Sequence, residues 1–250
     1  MPESYNTKTI EYNNSLLVKR YAHNIKSGYK LSAADKDSRR RKSDKDSRTP
    51  QQIEHCLQSS VNRTKNTVYA LALANNWEWF YTFTFDPAKV DSYNYDAVTK
   101  ALKTWLDDTR RMYAPNMRYI IVPELHESGR YHFHGLFADV DKIPVVLGAG
   151  QSDIYNLPTY DYGYTTASKI RDSDSTCSYC LKYITKELCA TTQNKKRYWR
   201  SRNLSKPRET TYNLSNEDFY EQLDNIDVVY TKTVDVFASH NRINIHIADM

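Results

Sequence analysis

A chain of 250 residues, 40% of them hydrophobic, can fold as one large domain or as one domain with extensions. No apolar run is long enough to span a bilayer and no signal-peptide core opens the chain, so the expectation is a cytoplasmic protein without a membrane partner. Its four cysteines, Cys56, Cys177, Cys180 and Cys189, are then expected as reduced thiols rather than a disulfide framework.

The net charge of +5 is unevenly spread. Leu214 to Met250 holds seven acidic and two basic side chains, which leaves Met1 to Asn213 at about +10 by difference. A basic body with 21 tyrosines suits phosphate contacts and base stacking, although many of those rings could equally be core.

Residues 1–50 show little apolar periodicity and repeat the tract DKDSR at Asp35–Arg39 and Asp44–Arg48, so a basic, mobile N-terminal arm is expected there. Gln51 to Asn76 has helical periodicity through Ile53, Cys56, Val61, Val68 and Leu71. Trp77 to Phe85 then alternates as a strand. Trp79, Tyr81, Phe83 and Phe85 share one face, Phe80, Thr82 and Thr84 share the other, and Asp86-Pro87 ends it. Asp96 to Tyr113 is an amphipathic helix with Val98, Leu102, Trp105 and Leu106 on its apolar side.

Next come two β-prone runs, Ile120–Glu124 and Tyr131–Phe137, joined by a polar segment with a glycine. His132 and His134 are two apart and project from one sheet face. A three-residue loop at Glu127-Ser128-Gly129 sets Glu124 opposite His132, whereas a two-residue loop would turn it away; the odd-length loop is expected, with Glu127 as the competing carboxylate. Two imidazoles and a carboxylate suit Mg²⁺ or Mn²⁺, and zinc or iron accept the same ligands. An iron oxygenase would need a Gly-rich barrel, which six glycines argue against.

Ile143 to Tyr164 reads as an irregular loop leading to a short strand near Tyr162–Ala167. Asp172 to Leu188 reads as one capped helix carrying Tyr179 and Tyr183 at i, i+4 and Lys186 three residues on, a single stripe of two phenols and an ammonium. Cys177 and Cys180 have CxxC spacing without a second pair for zinc. Asn194 to Arg208 mixes Lys195, Lys196, Arg197, Arg200, Arg202 and Lys206 with Tyr198 and Trp199, a pattern for binding single strands. Val228–Phe237 and Ile243–Ile247 are possible strands in the acidic end. The expected fold is α+β: an antiparallel sheet with helices on one face, ferredoxin- or RRM-like, over residues 51–213, followed by an acidic extension over 214–250.

Three segments in order, WFYTFTFDP, YHFHGLF and YCLKYITK, resemble the motifs of the HUH endonucleases, in particular the rolling-circle replication initiators of plasmids and single-stranded-DNA phages. The resemblance runs from Trp77 to Leu188, and SRNLSKP at Ser201–Pro207 is similar to phage-type members. It implies metal binding by His132, His134 and Glu124, with Tyr183 as nucleophile, Tyr179 as second tyrosine and Lys186 as assisting lysine. It also implies a single-stranded DNA origin as substrate, a 5′-phosphotyrosine intermediate and the cytoplasm of a bacterial host. Because no GxxxxGK[ST] occurs, a host helicase and polymerase are expected partners. A non-catalytic single-strand-binding domain is the alternative, needing the basic surface but neither tyrosine nor metal.

Overall fold

The computed structural model describes residues 4–26, 49–148, 153–192, 194–236 and 240–250. The chain divides into two compact units, one made of 1–52 with 206–250 and the other of 53–205. The fold is α+β, with one antiparallel sheet in each unit.

In the first unit, β1 (Ser4–Glu11) and β2 (Ser15–Lys26) form a hairpin. Both lie where a mobile arm was expected, and the DKDSR repeats fall outside the described residues. Strand β2 pairs along its other side with a C-terminal strand, Asn241–Asp249, which in turn pairs with Asp227–Val236; Arg208–Tyr212 closes the far edge beside β1. Residues 4–26 of the expected arm and two strands of the expected acidic extension are therefore parts of one five-stranded sheet. A short helix, Asn216–Asp224, is capped by Ser215, whose hydroxyl accepts from the Asp218 amide at 3.0 Å. It sets Phe219 against Arg20 and His246 of the sheet.

The second unit begins with helix α1 (Pro50–Leu73), whose body from Ile53 belongs to it. Then follow β3 (Trp79–Phe85), α2 (Tyr95–Met112), β4 (Arg118–Leu125), β5 (Tyr131–Ala138), β6 (Val146–Leu147), β7 (Ile154–Asn156) and β8 (Gly163–Lys169). The segment expected to be an irregular loop thus contains two short strands. Helix α3 (Ser173–Cys180), a 3₁₀ turn (Leu181–Tyr183), α4 (Lys186–Thr191) and β9 (Trp199–Arg200) complete the unit. The seven strands lie in the order β6-β7-β8-β3-β5-β4-β9.

Helices cover both faces of this sheet rather than one, because the central strands are apolar on both sides. Tyr81, Phe83, Phe133 and Phe137 pack against Leu102 and Trp105 of α2, with Tyr81 and Phe137 stacked at 4.4 Å and Phe83 and Trp105 at 4.9 Å. On the opposite face Ile120, Val122 and Leu136 meet Val61, Val68 and Leu71 of α1 and Cys177 and Cys180 of α3. Gly135 makes the first layer possible. A Cβ there would stand 2.7 Å from the Phe137 ring and 2.8 Å from Ile121 Cγ1.

Candidate active site

The β4–β5 hairpin sets the geometry. His126 N donates to Arg130 O at 2.9 Å and Gly129 N to His126 O at 2.8 Å, leaving Glu127-Ser128-Gly129 as a three-residue loop with Gly129 at φ +82°. That odd length pairs Glu124 with His132 across the ladder, as parity requires. Glu127 is exposed in the loop.

Glu124 reaches along the strand to the next imidazole, its Oε2 standing 2.7 Å from His134 Nε2. Behind the histidines, β3 supplies two hydroxyls in register: Thr82 pairs with His134 and Thr84 with His132, each Oγ1 at 3.1 Å from the facing Nδ1. As the contacts stand, His134 donates Nε2–H to the carboxylate and takes a hydrogen bond from Thr82. A hydroxyl can donate or accept, so the same threonine can hold the other tautomer, with Nδ1–H donating and Nε2 bare. Thr82 and Thr84 are thus the groups that orient both imidazoles. Their parity on β3, opposite the aromatic face, was the available signal.

The hydrogen bond from His134 holds the Glu124 carboxyl below its ordinary range, with burial opposing. Burial lowers His132, against the pull of Glu124. An ionised carboxylate and a neutral imidazole are the protonation states that metal ligation requires. Among the described residues, no three His, Cys, Asp or Glu side chains converge at ligand spacing. The donor types nevertheless fit a hard or borderline divalent ion, since an ion replacing the proton between His134 Nε2 and Glu124 meets one nitrogen and one oxygen.

The two tyrosines arrive over this cluster from α3 and the 3₁₀ turn. Tyr183, 7% exposed, stacks on His134 with ring centroids 3.7 Å apart and planes within 7°. Tyr179 is 45% exposed and stands edge-on to Tyr183 at 5.4 Å and to Phe80 at 5.8 Å. The single helix expected over Asp172–Leu188 breaks at Ile184-Thr185. Thr185 takes an extended backbone and caps α4, its Oγ1 accepting from the Leu188 amide at 3.2 Å. Lys186 consequently leaves the tyrosine stripe, and its ammonium pairs with Glu54 of α1.

Lys182 lies at the phenols instead, with Nζ 3.5 Å from the centre of the Tyr179 ring and 4.8 Å from that of Tyr183. Its spacing from Tyr179 repeats that of Lys186 from Tyr183, so YCLKYITK contains the same i, i+3 pair twice. That repeat is the signal by which Lys182 could have been found. The two phenols are driven apart. Tyr179 is lowered by hydrogen bonds from Lys182 and from Tyr183, whereas Tyr183 is raised by burial and by the hydrogen bond it donates to Tyr179.

The basic segment divides as well. Lys195 pairs with Asp96 at 2.8 Å, and Arg197 donates to Ser60 Oγ and to the Cys189 carbonyl, which gives both a structural role. Lys196, Arg200 and Arg202 line a cavity of about 600 Å³ with Arg197 and Tyr198, and none of the three forms an ion pair with another described residue. Trp199, anticipated as a stacking ring, is buried at 5.1 Å from Phe133. Lys206 lies in the other unit. No disulfide joins the four cysteines, of which Cys56 is exposed and the rest are buried.

Residues 78–188, less than half of the chain, match the family model of replication-associated protein ORF2/G2P. That stretch holds every residue of the histidine–tyrosine cluster. The chain is similar to replication initiators of the Rep type. That similarity supports a role in DNA replication. No curated protein and no solved structure matches the chain. No helix among the described residues is long and apolar enough to cross a membrane.

Proposed function

We propose that the chain is an HUH-type initiator that nicks and rejoins single-stranded DNA at a rolling-circle origin through a tyrosine–DNA link. The observation that carries this is the stacking of Tyr183 on His134, which brings two phenols to a His–His–Glu cluster inside the region similar to the replication-associated family.

His132, His134 and Glu124 would hold Mg²⁺ or Mn²⁺, which when bound neutralises charge on the scissile phosphate. The chain's own groups do the rest. A phenol attacks the phosphorus, a P–O bond to the tyrosine forms, and the bond to the 3′ oxygen breaks. The phenol proton is lost as the leaving oxygen takes one, so the products are a 5′-phosphotyrosine and a free 3′-OH. A later 3′-OH reverses the step and reseals the strand without ATP.

The sequence pointed to Tyr183 as first nucleophile, but the geometry favours Tyr179. It is the exposed phenol, and the Lys182 ammonium over its ring stabilises its anion. Tyr183, buried and donating, is held for the second transfer. Lys196, Arg200 and Arg202 would bind backbone phosphates. The released 3′-OH would be extended by a host polymerase behind a host helicase.

The test is a denaturing gel of the protein with labelled single-stranded DNA carrying its cognate origin and Mn²⁺. A slow-migrating protein–DNA adduct, absent with chelator and absent from the Tyr179→Phe, Tyr183→Phe double variant, is expected. Tight binding without an adduct would leave a single-strand-binding protein and remove the nuclease.

A further inference from the structure

Both flanks of the cluster must handle DNA if a strand is cut there, yet the cations proposed so far for backbone phosphates, Lys196, Arg200 and Arg202, all lie on one side. In the sheet order, β9 and its basic segment stand beyond β4, while β8 lies on the far side of β3. On that far side is a second cleft of about 410 Å³, floored by Phe80 and Ile170 and walled by Tyr179, with Ser168 and Thr176 hydroxyls and Arg171 around it.

The β3–β8 register fixes which side chains share the face of the histidines. Ser168 is opposite Phe80, Thr166 opposite Thr82, and Tyr164 opposite Thr84. Tyr164 is 66% exposed, an uncovered ring directly across the ladder from Thr84, whose other neighbour is His132. Arg171 is held only by Asp153 at 2.8 Å, and both partners are exposed. Such a pair is weak and exchanges readily for a phosphate. An apolar floor, a ring wall, hydroxyls and two basic residues, Lys169 and Arg171, beside Asp172 make a site for a nucleobase and its phosphate.

We infer that this cleft binds a nucleotide next to the cleaved phosphate, with the single strand running along β8 across Tyr164. The inference rests on the DNA-cleavage reading for the identity of the strand and adds where its second flank lies. No residue of the cleft other than Tyr179 takes part in the chemistry, so the two can be tested apart.

The experiment is photo-crosslinking of the full chain to single-stranded DNA of random sequence containing 5-iodouridine, with adducts located by mass spectrometry. Adducts at Phe80 and Tyr164 are expected. Arg171→Ala should lower their yield about fivefold at ~0.15 M salt, the worth of one released counterion, and leave adducts at residues 195–202 unchanged. Adducts confined to 195–202, no adducts at all, or Phe80 and Tyr164 adducts indifferent to Arg171→Ala would each overturn the cleft. Crosslinking does not need cleavage. Adducts at Phe80 and Tyr164 in a protein that never cuts would keep the cleft and remove the nuclease; cutting with adducts elsewhere would do the reverse.

Discussion

Replacing Lys182 by methionine removes the ammonium while keeping an unbranched stem of similar length. The charge lies 3.5 Å from the centre of the Tyr179 ring. A unit charge about 4 Å from a forming phenolate is worth ~1 kcal/mol in water and ~4 kcal/mol at an effective dielectric of ~20. Tyr179 is nearly half exposed, so solvent screening places the effect at the lower end, about 1–2 kcal/mol. The rate of first adduct formation near neutral pH should therefore fall roughly five- to thirtyfold. Because Lys182 lowers the Tyr179 phenol, its removal shrinks the phenolate fraction at neutral pH, and raising the pH should restore it. The assay is a quenched time course on denaturing gels at several pH values, with Lys182→Arg as the charge-preserving control. A methionine variant within twofold of wild type at neutral pH, or a deficit that does not narrow in alkali, would refute the assignment of Lys182 to Tyr179.

Tyr179→Phe should lose the first adduct while Tyr183→Phe keeps it and fails in the closing transfer; peptide mapping of the trapped adduct decides the order, and first-round adducts only at Tyr183 would invert it. Glu124→Gln should weaken Mn²⁺ binding at least tenfold while Glu127→Gln leaves it unchanged, as read by calorimetry. Gly135→Ala should destabilise folding by about 1–3 kcal/mol in urea titration, since the new methyl meets Phe137 and Ile121. Without added metal, thermal stability should decline on acidification, first as the pH falls through the ordinary His value of 6.5, because folding keeps His132 neutral, and again below 4.5, where Glu124 is protonated. Each depressed group contributes above its unfolded value and loses that contribution in acid, so a His132→Gln variant should flatten the upper part of the curve.

The part of the site carried by strands was legible because strand parity is strict. Once Gly129 marked an odd loop, the faces of Glu124, His132 and His134 followed, and the alternation of β3 put Thr82 and Thr84 on that same face. The helical part was less legible. Tyr179, Tyr183 and Lys186 share a stripe only if one helix continues through Ile184-Thr185, and nothing in the periodicity reveals that Thr185 spends its hydroxyl on capping a new helix. The lysine at the phenols changed identity with that break, although the spacing rule that selected Lys186 applied equally to Lys182.

The C-terminal strands of the first sheet lie where Val228–Phe237 and Ile243–Ile247 were expected, but its N-terminal strands escaped for a different reason. Strands β1 and β2 are mostly half-buried, with Val18 and Ile10 as their few buried apolar residues, so they carry almost none of the alternation that marks a strand. Their stability comes from partners about two hundred residues away: Val18 pairs with His246 and Leu17 with Ile247, while Arg20 donates to the Leu214 carbonyl and lies over Phe219. Local pattern reports how a segment can bury itself, not what will pair with its edge. The polar N-terminal segment looks unable to fold alone, and the inference from that to mobility fails for residues 4–26 because the C-terminal strands supply the ladder they lack. The basic and acidic parts of the charge distribution thus meet in one sheet, and Arg20 of the basic part donates to Asn216 Oδ1 of the acidic part at 2.9 Å.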